Sequence, residues 1–536
     1  MPLASPPDAE PLDDRIHRRR WATLTVLCLS LLVIVVDNTI VNVALPTLVR
    51  ELGTSISELQ WVVDAYTLVF AGLLLAAGAL GDRFGRKGAL TIGLVIFGVA
   101  SAFGAVADGV GGLIAARALM GIGAALIMPA TLSILTNVFR DPKERALAIG
   151  IWSGVAGLAV ALGPVAGGYL LEHFWWGSIF LVNVPIVLVA LLAGRLVVPT
   201  SRDEAAPPID WTGAVLSIAG LGALVFSLIE APNYGWTAPV TLAGFALSVA
   251  LLVGFVVWEL RIDEPMLDMR FFRNARFSAA SGSITLLSFA LFGFIFMATQ
   301  YLQFVLGYSA FAAGLRTLPF AAAVVVAAPL SSLFVRWIGT KLVVAAGMSS
   351  FSIGLLVAAT SGVDTGYTRV WVAMLFMGAG MGLSQAPATE AVMGSLPAAK
   401  AGVGSAVNDT TREVGGALGV AVVGSILSSI YSADLADRVG STLPEPALDT
   451  AQESVGAALA VSAQAGVPAL ARAAQESFTV AMSRASVVTA VIAAIAAVAA
   501  LRFLPARAAD AQDADAAADA PLPVERDAVV AVPVLD

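Results

Sequence analysis

Gly78-Ala79-Leu80-Gly81-Asp82-Arg83-Phe84-Gly85-Arg86-Lys87-Gly88-Ala89-Leu90 is a knot of charge set between two long apolar runs. Each run is long enough to cross a bilayer core as a helix, since about 20 residues at about 1.5 Å each cover about 30 Å. The knot therefore reads as a tight turn between two membrane helices, on the cytoplasmic side. Its glycines let the helix ends approach closely, and Asp82 is placed to pair with Arg83, Arg86 or a neighbouring helix end. On charge alone an ordinary positive-inside hairpin reads the same way; the regular spacing Gly-x-Leu-x-Asp-Arg-x-Gly-Arg-Lys-x-x-Leu is more specific than that.

Composition extends this reading to the whole chain. Of 536 residues 58% are hydrophobic and 13% charged, against roughly 25% charged in a soluble protein. The class is an all-α polytopic membrane protein. The net charge of −8 gathers after Arg507 and between Asp434 and Glu476, and gives no ground for a nucleic-acid partner. A lone cysteine, Cys28, rules out an intramolecular disulfide and a multi-cysteine metal site. His17 and His173 fall outside the expected spans, so imidazole is a poor proton carrier here. The arginines before Trp21 mimic a secretory signal, but no small-residue cleavage site follows and the apolar run continues too far. Gly378-Ala379-Gly380-Met381-Gly382 lacks the strand and turn of a nucleotide fingerprint. With no phosphate loop, zinc motif or nucleophile elbow in a credible context, the chain reads as a non-enzyme without metal or cofactor.

About fourteen spans are expected, near 22–46, 58–80, 88–107, 111–136, 146–170, 178–198, 211–230, 239–258, 277–299, 311–334, 342–360, 369–392, 403–429 and 478–502. With both termini cytoplasmic, the inside segments take the basic residues before Trp21, Arg83/Arg86/Lys87, Arg140/Lys143/Arg145, Arg195/Arg202, Arg261 to Arg276, Arg336/Lys341, Lys400 and Arg502/Arg507. This divides the chain into a cytoplasmic arm (1–21), a six-helix bundle (22–198), two extra helices with their linker (199–258), a second six-helix bundle (259–505) and a disordered acidic cytoplasmic tail (506–536). Arg336-Trp337-Ile338-Gly339-Thr340-Lys341 stands where a degraded copy of the opening knot belongs if the bundles are duplicates. An Ala-rich outer loop, 431–477, is expected to form short helices over the external mouth.

Ionisable groups inside a bilayer cost about 2.5–3.5 kcal/mol each, so they tend to face a cavity and act there. Asp37 in the first span, Asp64 in the second and Arg117 in the fourth fall at one depth in the outer half, and are expected to form a coupled set. Burial disfavours a carboxylate's charge and a nearby arginine favours it, which poises such a group to load and release a proton. The plainer reading of Asp37 is structural capping or pairing, and that of Asp64 is a place close to the external interface, where a charge is cheap. In the thirteenth span Asp409 and Glu413 share a helix face with Arg412 beside them, either a second proton or gating cluster or a self-satisfied ion pair. Glu390 is expected at the interface. The fifth span carries Gly163-Pro164-Val165-Ala166-Gly167-Gly168, a close-packed and bent helix crossing.

Together these segments resemble a known family. The Gly78 to Leu90 turn resembles the signature loop of the major facilitator superfamily, which implies two six-helix bundles. Gly-Pro-x-x-Gly-Gly resembles its antiporter signature, with Ala159 as one departure from the longer glycine pattern. With Val36-Asp37-Asn38-Thr39-Ile40-Val41-Asn42-Val43-Ala44-Leu45-Pro46, the chain looks like the fourteen-helix drug:proton antiporters of the EmrB/QacA type, from about residue 20 to 505. The acid in Trp61-Val62-Val63-Asp64-Ala65-Tyr66 is similar to that of exporters of quaternary ammonium compounds and cationic dyes.

By that resemblance Asp37 and Asp64 are candidates for proton coupling and cation recognition, with Arg117 as partner; Asp409, Arg412 and Glu413 are less securely matched. Asn38, Asn42, Trp61, Tyr66, Phe292, Phe296, Tyr301 and Gln303 are candidates for the substrate lining. Gly78, Asp82, Arg83, Gly85, Arg86, Gly163, Pro164, Gly167 and Gly168 are candidates for gating. The implied protein is a monomer in a bacterial plasma membrane that exchanges protons for small hydrophobic, cationic drugs by alternating access, driven by the proton gradient. Export of an endogenous metabolite, lipid or self-made antibiotic by the same mechanism, and an uncoupled facilitator or membrane sensor, are the alternatives.

Overall fold

The computed structural model describes residues 12–139, 141–201, 210–263, 265–393, 395, 401–440 and 443–504. The arm before Leu12, Arg140, Arg202, Lys400, the tail from 506 and the side chains of Asp82 and Lys143 lie outside the described residues. All regular structure among those residues is helical. The helices are α1 (Leu12–Leu52), α2 (Ile56–Phe84), α3 (Arg86–Ala105), α4 (Val110–Val138), α5 (Pro142–His173), α6 (Ser178–Leu181), α7 (Asn183–Val197), α8 (Trp211–Tyr234) and α9 (Pro239–Glu259). Then come α10 (Ala275–Gln300) with a π turn at Tyr301–Val305, α11 (Ala310–Leu315), α12 (Leu318–Ile338), α13 (Thr340–Ala359), α14 (Tyr367–Met393), α15 (Ala401–Val439), α16 (Glu445–Glu453), α17 (Val455–Ala465) and α18 (Pro468–Phe503). Thirteen stretches among the described residues are long and apolar enough to cross a bilayer, and α2, 29 residues long, packs among them as a fourteenth.

Local chemistry sets the ends. Ser55 caps α2 through the Glu58 amide while Glu58 reaches back to the Ser55 amide, satisfying two donors at once. The turn from α2 to α3 hinges on Gly85 at φ +118°, a backbone shape that residues with a Cβ rarely adopt. Gly339, at φ +86°, makes the equivalent turn between α12 and α13. The turn from Arg336 to Lys341 carries fewer charges than the first and has a glycine at the bend as well.

Helices α1–α7 pack as one bundle, and α10–α15 with α18 as a second. The hairpin α8–α9 lies outside both, with α8 touching α2 and α15 together. Trp61 Nε1 donates to Glu230 Oε1 at 3.0 Å, Asn233 Nδ2 to Ser57 Oγ at 3.0 Å, and Ser425 Oγ to the Leu228 carbonyl. Helix α8 thus straps the seam between the bundles.

One end of the molecule, the basic face, carries Arg20, Lys87, Arg195, Arg336 and Lys341; the opposite end is the far face. At the basic face Arg20 pairs with Glu144 at 3.0 Å and Lys87 Nζ donates to the Arg195 carbonyl at 3.1 Å, both within the first bundle. Direct contacts between the bundles gather toward the far face. Gln60 Nε2 of α2 donates to the Val420 and Ala421 carbonyls of α15 at 3.2 and 2.9 Å, and Gln303 Nε2 to the Val43 carbonyl of α1 at 2.9 Å.

Several boundaries differ from expectation. Helix α1 continues past Pro46 to Leu52, which leaves Asp37 about 22 Å from its far end and about 37 Å from its start, in the outer half of the helix. The sixth span divides at Val182 and the tenth at Arg316-Thr317, where Pro319 starts α12. In the expected outer loop, α15 and α18 consume both ends and only α16 and α17 remain between them. Helix α17 closes on the far ends of α1 and α10, with Gly456 against Val49 and Phe304. Beside it Arg472 bridges Asp364 at 2.7 Å and Glu476 at 2.9 Å.

Candidate functional site

Asp37 and Arg117 form an ion pair inside the first bundle, both sealed from solvent. Arg117 Nε donates to the Val62 carbonyl at 3.0 Å, and its guanidinium lies 4.3 Å from the centre of the Tyr66 ring. Asn183, the first residue of α7, completes the set: one amide hydrogen goes to Asp37 Oδ1 at 2.9 Å and the other to Ser101 Oγ at 3.1 Å. Ser101 in turn donates to the Phe180 carbonyl at 2.8 Å. Each Asp37 oxygen has a donor, as a carboxylate in low dielectric requires. Sequence reasoning missed Asn183 and Ser101. An amide alone in the apolar sixth span was the signal for the first; a serine in a membrane helix is too common to signal anything.

Asp64 is equally buried but stands apart from that set. The Tyr66 ring lies on Arg117, and Asp64, two residues away, is about 200° round the helix from it. Asp64 therefore follows the stripe of Gln60, which bonds α15, and Leu68, which packs with Val225, Ile229 and Ala421. Both of its oxygens lack a hydrogen-bond partner. Equal depth put it with Arg117 in the sequence, and helical phase separates them.

In the second bundle Arg412 lies 3.7 Å from Asp409 and 3.2 Å from Glu413. Asn408 Nδ2 donates to Asp409 at 3.3 Å, and Thr389 Oγ1 to Asn408 at 2.9 Å. The Arg412 side chain is 30% exposed and that of Glu413 only 4%. One carboxyl oxygen of Glu413 is unpartnered. Glu390 is exposed at the end of α14.

The lining candidates scatter. Tyr66 belongs to the Arg117 set. Asn42 turns back to the Asn38 carbonyl at 2.9 Å, and Asn38 keeps a free side-chain oxygen. Trp61 faces α8, next to Phe226. Phe296 is in the core of the second bundle, Phe292 lies against Gly416 of α15, and Tyr301 donates to the Gly362 carbonyl at 2.9 Å. Gln303 is spent on the crossing to α1.

The gating candidates fall into two groups. Gly163 meets Thr39 and Gly167 meets Ile40, both of α1. A Cβ on Gly168 would stand 2.5 Å from Phe311 Cα and 2.6 Å from the Ala310 carbonyl of the other bundle. The Pro164 carbonyl meets Gly314. So Gly-Pro-x-x-Gly-Gly packs α5 on its own bundle and on the opposite one. Gly78 packs on Pro129, and Arg83 is exposed beside the Phe84 ring at the basic face, next to Gly85 and Arg86. Among the described residues no three His, Cys, Asp or Glu side chains gather as a metal site would need.

Comparison with known proteins agrees with this architecture. The Major Facilitator Superfamily model matches residues 27–420. Multidrug efflux pump LfrA of Mycolicibacterium smegmatis is 37% identical over 90% of this chain and 96% of its own. Methyl viologen resistance protein SmvA of Salmonella typhimurium is 36% identical over 82% and 89%. A bacterial homolog of the human lysosomal transporter Spinster, solved inward-facing and unoccupied, superposes with a TM-score of 0.64 at 20% identity, covering 91% of this chain and 98% of that one. The chain belongs to the Major Facilitator Superfamily, as a fourteen-helix transporter of the drug:proton antiporter type.

Proposed function

We propose that the chain is a proton-driven antiporter of the bacterial plasma membrane, with both termini cytoplasmic, that exports hydrophobic cationic drugs by alternating access. The observation that carries this reading is a pair of acid–arginine clusters, Asp37–Arg117 and Asp409–Arg412–Glu413, one in each of two bundles that meet toward one face. Charge this expensive inside a bilayer is retained where its loss and return do work. With the basic face cytoplasmic, the far-face contacts make this the inward-open arrangement. A proton taken from outside then weakens the hold of Asp37 on Arg117, and its release inside restores it. A lipophilic cation fits because one carboxylate gains from a proton or from a cation and not from both together. Relatives named for resistance to methyl viologen and for multidrug efflux support the substrate class.

Proteoliposomes test it. Methyl viologen added against an imposed pH gradient drives proton movement in the wild type, and Asp37→Asn abolishes it while the purified protein still elutes as a folded species. Gradient-driven transport by that variant at the wild-type rate removes Asp37 from the mechanism.

A further inference from the structure

Tyr66 stands between the two clusters. Its ring lies on the Arg117 guanidinium, and it is within electrostatic reach of Asp37 and Arg117 on one side and of Arg412 and Glu413 on the other. Its hydroxyl is buried and has no partner, and across the seam Glu413 Oε2 is also buried without one. Register brings them level. Helices α2 and α15 run antiparallel, with Gln60 bonded to Val420 and Ala421. Six residues toward the basic face, Tyr66 comes level with about Val414, next to Glu413 in sequence. One and four residues nearer the basic face than Glu413, the side chains of Arg412 and Asp409 are 30% and 18% exposed. The two orphan atoms thus sit where the closed part of the seam ends. A buried donor and a buried acceptor, each costing about 1–3 kcal/mol while unmade, thus lie at one depth in opposite bundles, within electrostatic reach of each other.

We propose that Tyr66 is the positioning residue that couples the two clusters: as α2 and α15 close toward the basic face, its hydroxyl donates to Glu413 Oε2 while its ring keeps Arg117 directed at Asp37. The contact deepens the antiporter reading, because closure then senses whether Glu413 can accept and, through the same ring, how Arg117 is held. A tyrosine there does more than line a drug pocket. It is the link by which a change of charge in one bundle reaches the other.

Spin labels at Phe84 and Ile338, exposed ends of α2 and α12 at the basic face and one in each bundle, report closure in the full-length protein in nanodiscs. Tyr66→Phe keeps the ring on Arg117 and removes only the donor. Its closed population falls about fivefold, as expected for one hydrogen bond, and the pH dependence of closure flattens while the melting temperature holds. Glu413→Leu lowers closure similarly, and the double variant goes no lower than either single one. A Tyr66→Phe protein that closes as the wild type does at every pH, or losses that multiply in the double variant, overturns the contact. The exporter reading is read separately, from proton release on adding methyl viologen. A wild type that closes in this way but releases no proton sinks that reading and leaves the Tyr66 contact supported.

Discussion

Asp37 and Asp64 sit on neighbouring helices, both wholly buried, in opposite circumstances. Asp37 is held by Arg117 and Asn183, with every partner in its own bundle. Asp64 has no hydrogen bond and lies on the stripe facing α15 and α8, so its surroundings belong to both bundles and to the hairpin between them. Partners drawn from its own bundle accompany Asp37 however the two bundles are arranged. An acid whose neighbours are contributed by different bodies is satisfied or stranded according to how those bodies are arranged, which is what a sensor of bundle position requires.

The largest expected effect comes from breaking the satisfied pair. Arg117→Ala leaves Asp37 buried with only the Asn183 amide, and truncating one partner of a buried pair costs about 3–5 kcal/mol. The loss is read from chemical unfolding in detergent, as a drop in midpoint without a change in slope. Arg117→Ala combined with Asp37→Leu recovers most of it, because the stranded charge goes with its partner. A single variant within 1 kcal/mol of the wild type breaks the comparison, since Asp37 would then need no partner either.

Asp64 is expected to separate stability from transport. Asp64→Asn removes no hydrogen bond and keeps the shape, so unfolding free energy changes by less than about 1 kcal/mol. Transport of methyl viologen in proteoliposomes falls by more than about tenfold, a barrier of about 1.4 kcal/mol. A large stability loss with transport intact would show that the carboxyl has a partner that holds it.

Legibility followed the same division. Hydropathy and the charged turns located the spans because apolar length in a bilayer is a one-dimensional property of the chain, but α15 and α18 run about ten residues further into the outer loop than expected. Gly85 and Gly339 marked both tight turns for a similarly local reason. The pairing of Asp37 with Arg117 was readable from depth, which a count along each helix supplies. Asp64 was misplaced because depth without rotation cannot say which neighbour a side chain faces, and a phase error of two residues reverses the answer. Trp61 and Gln303 looked like lining by residue type alone. Their partners, Glu230 and the Val43 carbonyl, lie 169 and 260 residues away. No local pattern carries a contact of that range. The strap formed by α8 was invisible for the same reason.

The smallest effect sharpens what closes the seam around Asp64. Gln60 crosses it with one amide nitrogen to two carbonyls of α15. Those carbonyls remain in the helix ladder, so Gln60→Leu orphans neither of them. The substitution also removes Gln60 Oε1, a buried acceptor that has no partner. Loss of the donor, worth about 1 kcal/mol, is partly offset by relief of that oxygen. Far-face closure should therefore weaken by less than about 1 kcal/mol, a shift of up to about fivefold in the closed fraction measured by label distances across α2 and α15. If closure instead strengthens, apolar packing with Ala421 and Leu68 holds the seam and the hydrogen bonds only set its register. Asp64 would then be confined by hydrophobic contact alone, and a proton there would act by letting the acid fit a dry seam, with no bond to make or break.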